Sequence, residues 1–497
     1  MPLPQIAAAA SDPVASTAAG RLRGRSHGEG AVFKGIPYAQ PPVGALRWKA
    51  PLAPLPWNGE RNAADFSAPC AQTNQGYNEE SAKQGREDCL YLNVWTPEWP
   101  VKTSHAVMVW IHGGGNTAGS ASRQSFDRQT LSKQGIVLVT INYRVGALGF
   151  FSHPELTAEN EHRSSGNYGL LDQIAALTWV KQNIANFGGD PDNVTIAGQS
   201  AGAIDLGLLM TSPRASGLFH RAIAESGTVL VYQKLTPPLR SAEETGIQFA
   251  QKLRAPDKDA VGYLRSLSVE QIVSASQGLP ADPNVDGWVI PRLPAEVYLE
   301  GRERHIPMLI GNNGREHVFA GAEDALEKAI RKSFGSRATE AVTLYKQAET
   351  RQYAPYGSAG DQYSTDTSFR CASIGIAQWH HRAGNAVFQY EFTAGPLDRG
   401  ARHSDELDYV FSGANGRTTP ELKNDGASIQ RYWANFAKTG NPSGPGVLPW
   451  PNYDDAAKSY MEFSNSGPQV KHNLREPYCD LLISEFSDGL RRTTKDK

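Results

Sequence analysis

The residue best placed for chemistry is Ser200, within the pentapeptide Gly-Gln-Ser-Ala-Gly at 198–202. Residues 193–197 read as a β-strand entering this segment and residues 203–210 as a helix leaving it. A serine on such a tight turn needs glycines on both sides, since side chains there would collide with neighbouring backbone. The start of the helix also directs free backbone N–H groups toward the serine Oγ. This context predicts nucleophilic attack by Ser200 on a carbonyl carbon, whereas the bare pentapeptide would also suit a plain glycine turn.

A second feature is the run His-Gly-Gly-Gly at 112–115, directly after a predicted strand at 106–111. Attack on a carbonyl creates an oxyanion, and a polyglycine turn lets bare N–H groups approach that oxygen. We predict Gly114, Gly115 and Ala201 as the donors. A phosphate-binding loop is the rival interpretation, but the Lys-Ser/Thr ending of such a loop is missing.

A serine nucleophile needs a base and an acid that orients the base, in the order Ser, Asp or Glu, His for this type of turn. Glu316 follows a predicted strand at 307–310 through a glycine- and asparagine-rich loop, where it could equally be a solvated carboxylate. The candidates among the histidines that follow it are His317, His380, His381 and His403. His403 is favoured because it follows a strand at 387–392 and a loop, whereas 380 and 381 fall in a predicted helix.

These residues require a sheet that places several strand ends together. Short β-rich runs alternate with helical stretches along the whole chain, which predicts an α/β fold with a central, mostly parallel sheet flanked by helices. We expect one catalytic domain over 16–497 and an N-terminal extension without regular order at 1–15. Helical insertions are predicted around 240–305, beginning with a capping box at Ser241, and around 318–380. They would form a cap over the sheet edge or simply cover a sheet face.

Composition excludes several functions. The chain has 497 residues with 49 basic and 51 acidic side chains and no long run of one sign, so neither nucleic acid nor an anionic membrane is an expected partner. No apolar stretch approaches the length of a membrane span. Neither Cys-x-x-Cys nor His-Glu-x-x-His occurs, so no metal or other cofactor is expected. Four cysteines leave disulfides open, and no intact secretory signal is seen.

Several motifs in order resemble the type B carboxylesterases, which include para-nitrobenzyl esterases and cholinesterases. The motifs are Phe-Lys-Gly-Ile-Pro-Tyr-Ala at 33–39, Pro-Pro-Val-Gly-Ala-Leu-Arg at 41–47, Glu-Asp-Cys-Leu-Tyr-Leu-Asn-Val at 87–94, Asn-Tyr-Arg at 142–144 and Gly-Asn-Tyr-Gly-Leu-Leu-Asp-Gln at 166–173. The resemblance spans most of the chain. It implies an α/β-hydrolase fold and hydrolysis of small-molecule carboxylic esters through an acyl-enzyme.

The resemblance also implies roles for individual residues. Ser200 matches the nucleophile, Glu316 the acid of a Gly-x-Asn-x-x-Glu stretch, and His403 the base, while the family's oxyanion donors fall on Gly114, Gly115 and Ala201. Ser226 matches a serine that supports the acid. The implied disulfides join Cys70 to Cys89 and Cys371 to Cys479, which in turn implies a secreted or periplasmic location.

Three departures from the family concern the substrate pocket. Asn116 replaces an aromatic residue after the glycines, Gln199 replaces a frequent Glu, and His317 replaces a Gly after the acid. Asn116 and His317 would add hydrogen-bonding groups, so we expect an ester more polar than a plain alkyl ester. A lipase or amidase would use the same triad, and a binding protein without catalysis is a remote alternative. The sequence leaves the oligomeric state open, a monomer included.

Overall fold

The computed structural model describes residues 12–128, 130–230, 236–280, 282–349, 355–396, 398–411 and 423–495. The strands in these segments are β1 Val14–Ser16, β2 Arg21–Arg23, β3 Arg25–His27, β4 Gly30–Pro37, β5 Glu60–Asn62, β6 Tyr91–Trp95, β7 His105–Ile111, β8 Ile136–Ile141, β9 Gly189–Gln199, β10 Arg221–Glu225, β11 Met308–Asn313, β12 Val387–Phe392, β13 Ser459–Ser464 and β14 Gly467–His472.

The helices of the same segments lie between and after these strands. They are α1 Glu79–Gln84, α2 Gly146–Phe150, α3 Pro154–Glu159, α4 Tyr168–Asn183, α5 Ala201–Thr211, α6 Leu239–Lys252, α7 Ala260–Ser266, α8 Val269–Ala275, α9 Pro294–Leu299, α10 Glu323–Phe334, α11 Ala338–Glu349, α12 Ala359–Thr365, α13 Cys371–Arg382, α14 Leu407–Phe411, α15 Lys423–Thr439 and α16 Glu476–Lys495.

Eleven of the described strands form one sheet, in the order β14-β13-β12-β11-β10-β9-β7-β8-β6-β4-β3. The stretch from β13 to β8 is parallel, and antiparallel strands complete both edges. The central strands are apolar on both faces because helices cover both faces of a parallel sheet, so they read as continuous β-branched and aromatic runs. The prediction of an α/β fold around a mostly parallel sheet is confirmed.

The register of the central strands aligns their carboxyl ends. Gln199 at the end of β9 pairs with Glu225 of β10, Glu225 pairs with Gly311 of β11, and Gly311 pairs with Tyr390 of β12. The loops that follow these four strands therefore leave the sheet at one edge, which is where α/β enzymes bind their ligands.

The predicted helical insertions differ in detail from the structure. Helix α6 begins at Leu239, directly after Pro238, so Ser241 lies inside its first turn and the predicted capping box is wrong. The two prolines at 237 and 238 keep the chain extended up to that point, and the helix starts as soon as the backbone is released. Helix α13, at the end of the second insertion, packs on β11 and β12 and so covers a sheet face.

The N-terminal boundary also differs from the prediction. Residues 1–11 of the predicted extension lie outside the described residues, and ordered pairing begins at Val14, where β1 pairs with β2. Along the chain as described, no helix combines the length and apolar character that a bilayer crossing needs.

Two disulfides cross-link the described chain, one across 19 residues and one across 108 residues. One joins Cys70 to Cys89 and closes the loop that carries α1, and the other joins Cys371, at the start of α13, to Cys479 in α16. Both pairs correspond to those implied by the family resemblance.

Candidate active site

Ser200 lies on the sharp turn between β9 and α5 in a strained backbone conformation, with φ 56° and ψ −124°. Its N–H donates to the carbonyl of Glu225 at 2.9 Å, which fixes the turn to the neighbouring strand. A Cβ atom on Gly202 would lie 2.1 Å from the carbonyl oxygen of Ile111, so only glycine fits there. Strain of this kind persists where surrounding structure enforces it, and here it presents the serine at the sheet edge.

The polyglycine turn lies directly against this serine. A Cβ on Gly113 would be 2.9 Å from the Cβ of Ser200, and Gly114 and Gly115 have φ values of 115° and 63°. The carbonyl of Gly114 accepts hydrogen bonds from the N–H groups of Thr117 and Ala118, both at 3.1 Å, which closes the turn on itself. Backbone from the turn and from the start of α5 thus approaches Ser200 without side chains between them.

Glu316 and His403 are in contact beside the same turn. The Nδ1 atom of His403 lies 2.7 Å from Oε2 of Glu316, and the glutamate side chain is fully buried whereas the histidine is 22% exposed. The other oxygen of Glu316, Oε1, accepts from the backbone N–H of Asn313 at 2.7 Å. With Nδ1–H donated to Glu316, the Nε2 atom of His403 is the unprotonated one.

The Nε2 atom of His403 faces the serine turn, because it lies 3.2 Å from the side-chain nitrogen of Gln199. Burial alone would lower the pKa of His403, but the hydrogen bond and charge of Glu316 outweigh burial and raise the pKa above its ordinary value. The ring of Phe369 stacks on the imidazole with centroids 4.8 Å apart. The result is an oriented imidazole whose Nε2 atom lies against Gln199, the residue before Ser200.

The other candidate histidines lie in different settings. His380 is buried in α13 and pairs with Glu303 at 2.6 Å, so it serves the packing of that helix. His317 lies beside the site, its ring centroid 5.4 Å from that of His403. Burial lowers the pKa of His317, and the charge of His403 lowers it further.

Ser226 follows β10, which pairs with the strand before Glu316, but its side chain is not hydrogen-bonded to Glu316. Its Oγ atom is buried and has no hydrogen-bond partner within the described segments. Glu316 is instead supported by the N–H of Asn313 and by Thr365, whose Oγ1 accepts the N–H of Glu316 at 3.1 Å. Asn313 belongs to the Gly-x-Asn-x-x-Glu stretch, so a signal for it was present, whereas nothing local indicated Thr365.

Asn116 does not face a substrate, which corrects the expectation drawn from it. Its side chain is 4% exposed; the amide nitrogen donates to Oδ1 of Asp205 at 3.0 Å, and the amide oxygen accepts from the Tyr143 hydroxyl at 3.3 Å. Both ends of the amide are thus engaged inside the protein. Of the two added polar groups, only His317 is left next to the reacting residues.

Two carboxyl groups near Glu316, those of Glu225 and Glu406, are buried and form no ion pair with the residues that the structure describes. Burial raises the pKa of Glu406 to about 7, with the charge of Glu316 adding to the effect, and burial together with the charge of Glu406 raises the pKa of Glu225 well above its usual range. Their hydrogen bonds come from neutral groups, Asn313 for Glu406 and the Trp433 indole for Glu225. Sequence patterns gave no indication of this pair.

Comparison with known proteins places the chain in a family. A model of the carboxylesterase family matches residues 11–482. The chain is 34% identical over 480 residues to the fumonisin B1 esterase of Sphingopyxis macrogoltabida, covering 90% of this chain and 86% of the relative. It is 35% identical to carboxylesterase 1D of Rattus norvegicus, covering 94% and 92%.

Solved structures agree with the sequence comparison. A PNB esterase superposes with a TM-score of 0.81 at 31% identity and covers 95% of this chain and 100% of its own. A carboxylesterase from Geobacillus stearothermophilus gives a TM-score of 0.82 at 33% identity, covering 94% and 99%. The fold is therefore the α/β-hydrolase fold, and the chain belongs to the carboxylesterase family of carboxylic-ester hydrolases.

Proposed function

We propose that the protein hydrolyses small-molecule carboxylic esters through a covalent acyl-enzyme on Ser200, with His403 as the base and Glu316 as the residue that orients it. The observation that carries the proposal is the 2.7 Å contact between Glu316 and His403, which leaves the Nε2 atom of His403 directed at the turn that presents Ser200. An oriented base beside a strained serine is the arrangement that activates a hydroxyl for acyl transfer.

The first half of the reaction forms the acyl-enzyme. The Oγ of Ser200 attacks the ester carbonyl carbon while its proton passes to Nε2 of His403, and the carbonyl oxygen becomes an oxyanion. The N–H groups of Gly114, Gly115 and Ala201 receive that oxyanion, since the first N–H groups of a helix and of a glycine turn have no partner in their own element. The C–O bond to the alcohol then breaks, and the alkoxide leaves with the proton from His403.

The second half repeats the route with water. His403 takes a proton from water, the resulting hydroxide adds to the acyl carbonyl, and the Ser200 Oγ leaves with that proton, which releases the carboxylic acid. Glu316 stays ionised throughout and stabilises the imidazolium that forms twice in each cycle. The residues named here need no metal or organic cofactor for these steps.

We further propose that the ester is more polar than a plain alkyl ester. The support is now His317 alone, because Asn116 is engaged with Asp205 and Tyr143. Burial lowers the pKa of His317 and so favours a neutral but polar imidazole, whose ring centroid lies 5.4 Å from that of His403. Turnover of charged and neutral esters of equal size tests this; a clear preference for the neutral esters, unchanged in His317→Phe, would contradict it.

The experiment for the central proposal compares Ser200→Ala with Ser212→Ala on a series of para-nitrophenyl esters of increasing acyl length. Ser212 is a matched control, since it is a buried serine at the other end of α5 whose Oγ donates to the carbonyl of Val289. We expect kcat to fall about 10⁴-fold or more in Ser200→Ala and to stay within about threefold in Ser212→Ala. Full activity in Ser200→Ala would end the proposal.

The same series separates esterase from lipase and amidase action. Leaving-group preference depends on pocket shape, because the triad chemistry is shared. We expect para-nitroanilides to be turned over at least about 100-fold more slowly than the matched esters. Faster turnover of long acyl chains than of short ones would make the protein a lipase. Comparable rates on anilides would make the protein an amidase.

We propose an oxidising compartment as the place of action, supported by the two disulfides, Cys70–Cys89 and Cys371–Cys479. The test is thiol labelling of the protein isolated from its source without reductant. We expect no labelled cysteine before reduction and four afterwards, whereas free thiols in the isolated protein would argue for a reducing compartment.

A further inference from the structure

The two elements proposed to bind the oxyanion are distant in sequence, and one side-chain contact joins them directly. Gly114 and Gly115 belong to the turn after β7, and Ala201 begins α5. The amide nitrogen of Asn116, the first residue after the glycines, donates to Oδ1 of Asp205 in α5 at 3.0 Å. Because glycines have no side chains, Asn116 is the first residue after them whose side chain can form a hydrogen bond.

Further contacts make Asn116 the fixed end of the turn. It adopts φ 55°, its carbonyl accepts the N–H of Gly146 at 2.6 Å, and its side-chain oxygen accepts the Tyr143 hydroxyl at 3.3 Å. The single proton of that hydroxyl is shared with the carbonyl of His112, the nearer acceptor at 2.7 Å, at the other end of the turn. Both ends of the glycine segment are therefore held by the same group of side chains.

Asp205 is held from the opposite side by a third element. Its Oδ2 atom accepts the amide of Gln173 in α4 at 2.6 Å, and the residue is completely buried. Both donors are neutral amides, and burial raises the pKa of its carboxyl group to about 7. A buried carboxyl group with no cationic partner costs stability, so a residue of this kind needs a reason beyond packing.

We propose that Asp205 is a positioning residue for ester hydrolysis: through Asn116 it holds the glycine turn at a fixed distance from α5, so that backbone donors from both elements meet one oxygen atom. The inference rests on the oxyanion site proposed above. Donors must lie about 2.7–3.1 Å from the oxyanion, and a displacement of about 1 Å can cost about 100-fold in rate. A rigid link between the two elements supplies that precision.

The test measures kcat and KM for para-nitrophenyl acetate in Asn116→Ala, Asp205→Ala and the double variant. The matched control is Asn183→Ala, which also removes a buried amide with two hydrogen bonds, to the N–H of Ala18 and the carbonyl of Trp179, at the far end of α4. We expect each site variant to lower kcat about 10- to 100-fold with KM within about threefold. The control changes Tm but leaves kcat within about threefold.

If Asp205 acts through Asn116, two further variants have a defined kcat. The double variant has the kcat of the worse single variant, because both changes break the same contact. Asp205→Asn keeps kcat within about fivefold, because its side-chain oxygen still accepts the Asn116 amide. The rate of inactivation by diethyl para-nitrophenyl phosphate, whose phosphoryl oxygen needs the same donors, falls in parallel with kcat in the alanine variants.

Additive losses in the double variant, or equal kcat in Asp205→Ala and Asn183→Ala after correction for the folded fraction, would overturn the proposal. If Asp205→Ala gives no folded protein, Asn116→Ala decides the matter alone, since unchanged kcat there excludes the link. Normal rates in Asn116→Ala together with an inactive Ser200→Ala would remove this inference and leave the proposed reaction intact.

Discussion

Two buried aspartates of this protein have opposite electrostatic settings. Asp366 follows α12 and contacts two guanidinium groups, Arg370 at 2.5 Å and Arg475 at 2.6 Å. Asp205, beside the proposed oxyanion site, accepts side-chain hydrogen bonds from two neutral amides of the described residues, Asn116 and Gln173. Burial acts to raise the pKa of both, yet the arginines bring the pKa of Asp366 below its usual value, whereas that of Asp205 rises to about 7.

The difference distinguishes a region whose charges stabilise the fold from a region whose polar groups hold the reacting residues in position. Around Arg370, which also pairs with Glu391 at 2.7 Å, opposite charges compensate each other in the interior near the Cys371–Cys479 disulfide. Around the site, Asp205, Glu225 and Glu406 receive hydrogen bonds from neutral groups only. The second arrangement is energetically poorer, and its location next to the reacting residues indicates that geometry rather than stability explains it.

Substitution of Glu316 should have the largest effect on kcat, because its partner His403 becomes charged only during the reaction. In Glu316→Gln the shape is kept, but the amide cannot stabilise the imidazolium, and it favours the wrong tautomer of His403. We expect kcat to fall about 10⁴-fold with Tm nearly unchanged. Steady-state kinetics and thermal unfolding measure the two effects. A large decrease in Tm would show that Glu316 mainly stabilises the fold.

Arg370→Met tests the compensated region. Removing the shared guanidinium leaves Asp366 and Glu391 buried without it, which should lower the free energy of unfolding by about 3–5 kcal/mol. Urea denaturation measures the loss. At temperatures where the variant is folded, its kcat should match that of the unchanged protein; a selective loss of kcat would show that this region also serves the reaction.

Glu406→Gln tests the uncompensated region. The pKa of Glu406 in the folded protein, about 7, lies above its ordinary value, so its contribution to stability is present at low pH and lost as the pH rises through 7. Glutamine does not titrate and can still accept the Asn313 amide. We expect the variant to gain stability relative to the unchanged protein between pH 5 and pH 8, by on the order of 1 kcal/mol, in urea titrations. Parallel stability curves would contradict the assignment.

Gln199→Glu has the smallest expected effect and converts a neutral contact of His403 into a charged one. Activity requires neutral His403, whose pKa Glu316 already raises, so the acid limb of kcat/KM should have its midpoint above about pH 6.5. A carboxylate at position 199 favours the imidazolium and should move that midpoint up by about one pH unit. Gln199→Leu is the neutral control, and an equal shift in both variants would rule out a charge effect.

The sequence predicted the sheet well where burial decides the residue types. The strand Val387–Phe392 has the predicted bounds and His105–Ile111 differs from them by one residue, because strands buried on both faces carry unbroken apolar runs. The start of α6 was predicted wrongly, because a Ser-x-x-Glu pattern occurs by chance and the prolines before Leu239 decide where the helix begins. Local pattern is therefore a better guide to buried strands than to exposed helix ends.

The local sequence pattern predicted less of the proposed site than of the sheet. Ser200 and the glycine turn stand out because their conformations demand glycine, but Glu316 and His403 were selected among alternatives by chain order and family resemblance. Asn116 was expected to add a hydrogen-bonding group near the site, since nothing in the sequence indicates that it meets Asp205, 89 residues away. Contacts between elements that are remote in sequence cannot be deduced from the local pattern of one chain.

The Asn116–Asp205 contact constrains how the glycine turn can change in evolution or in the laboratory. Replacing Asn116 with the aromatic residue usual in the family would leave Asp205 with one donor fewer in a buried setting, and replacing Asp205 alone would leave the amide of Asn116 without its acceptor. Each single substitution passes through a destabilised intermediate, so the two positions have to change together. A library that remodels the glycine turn should randomise codons 116 and 205 together.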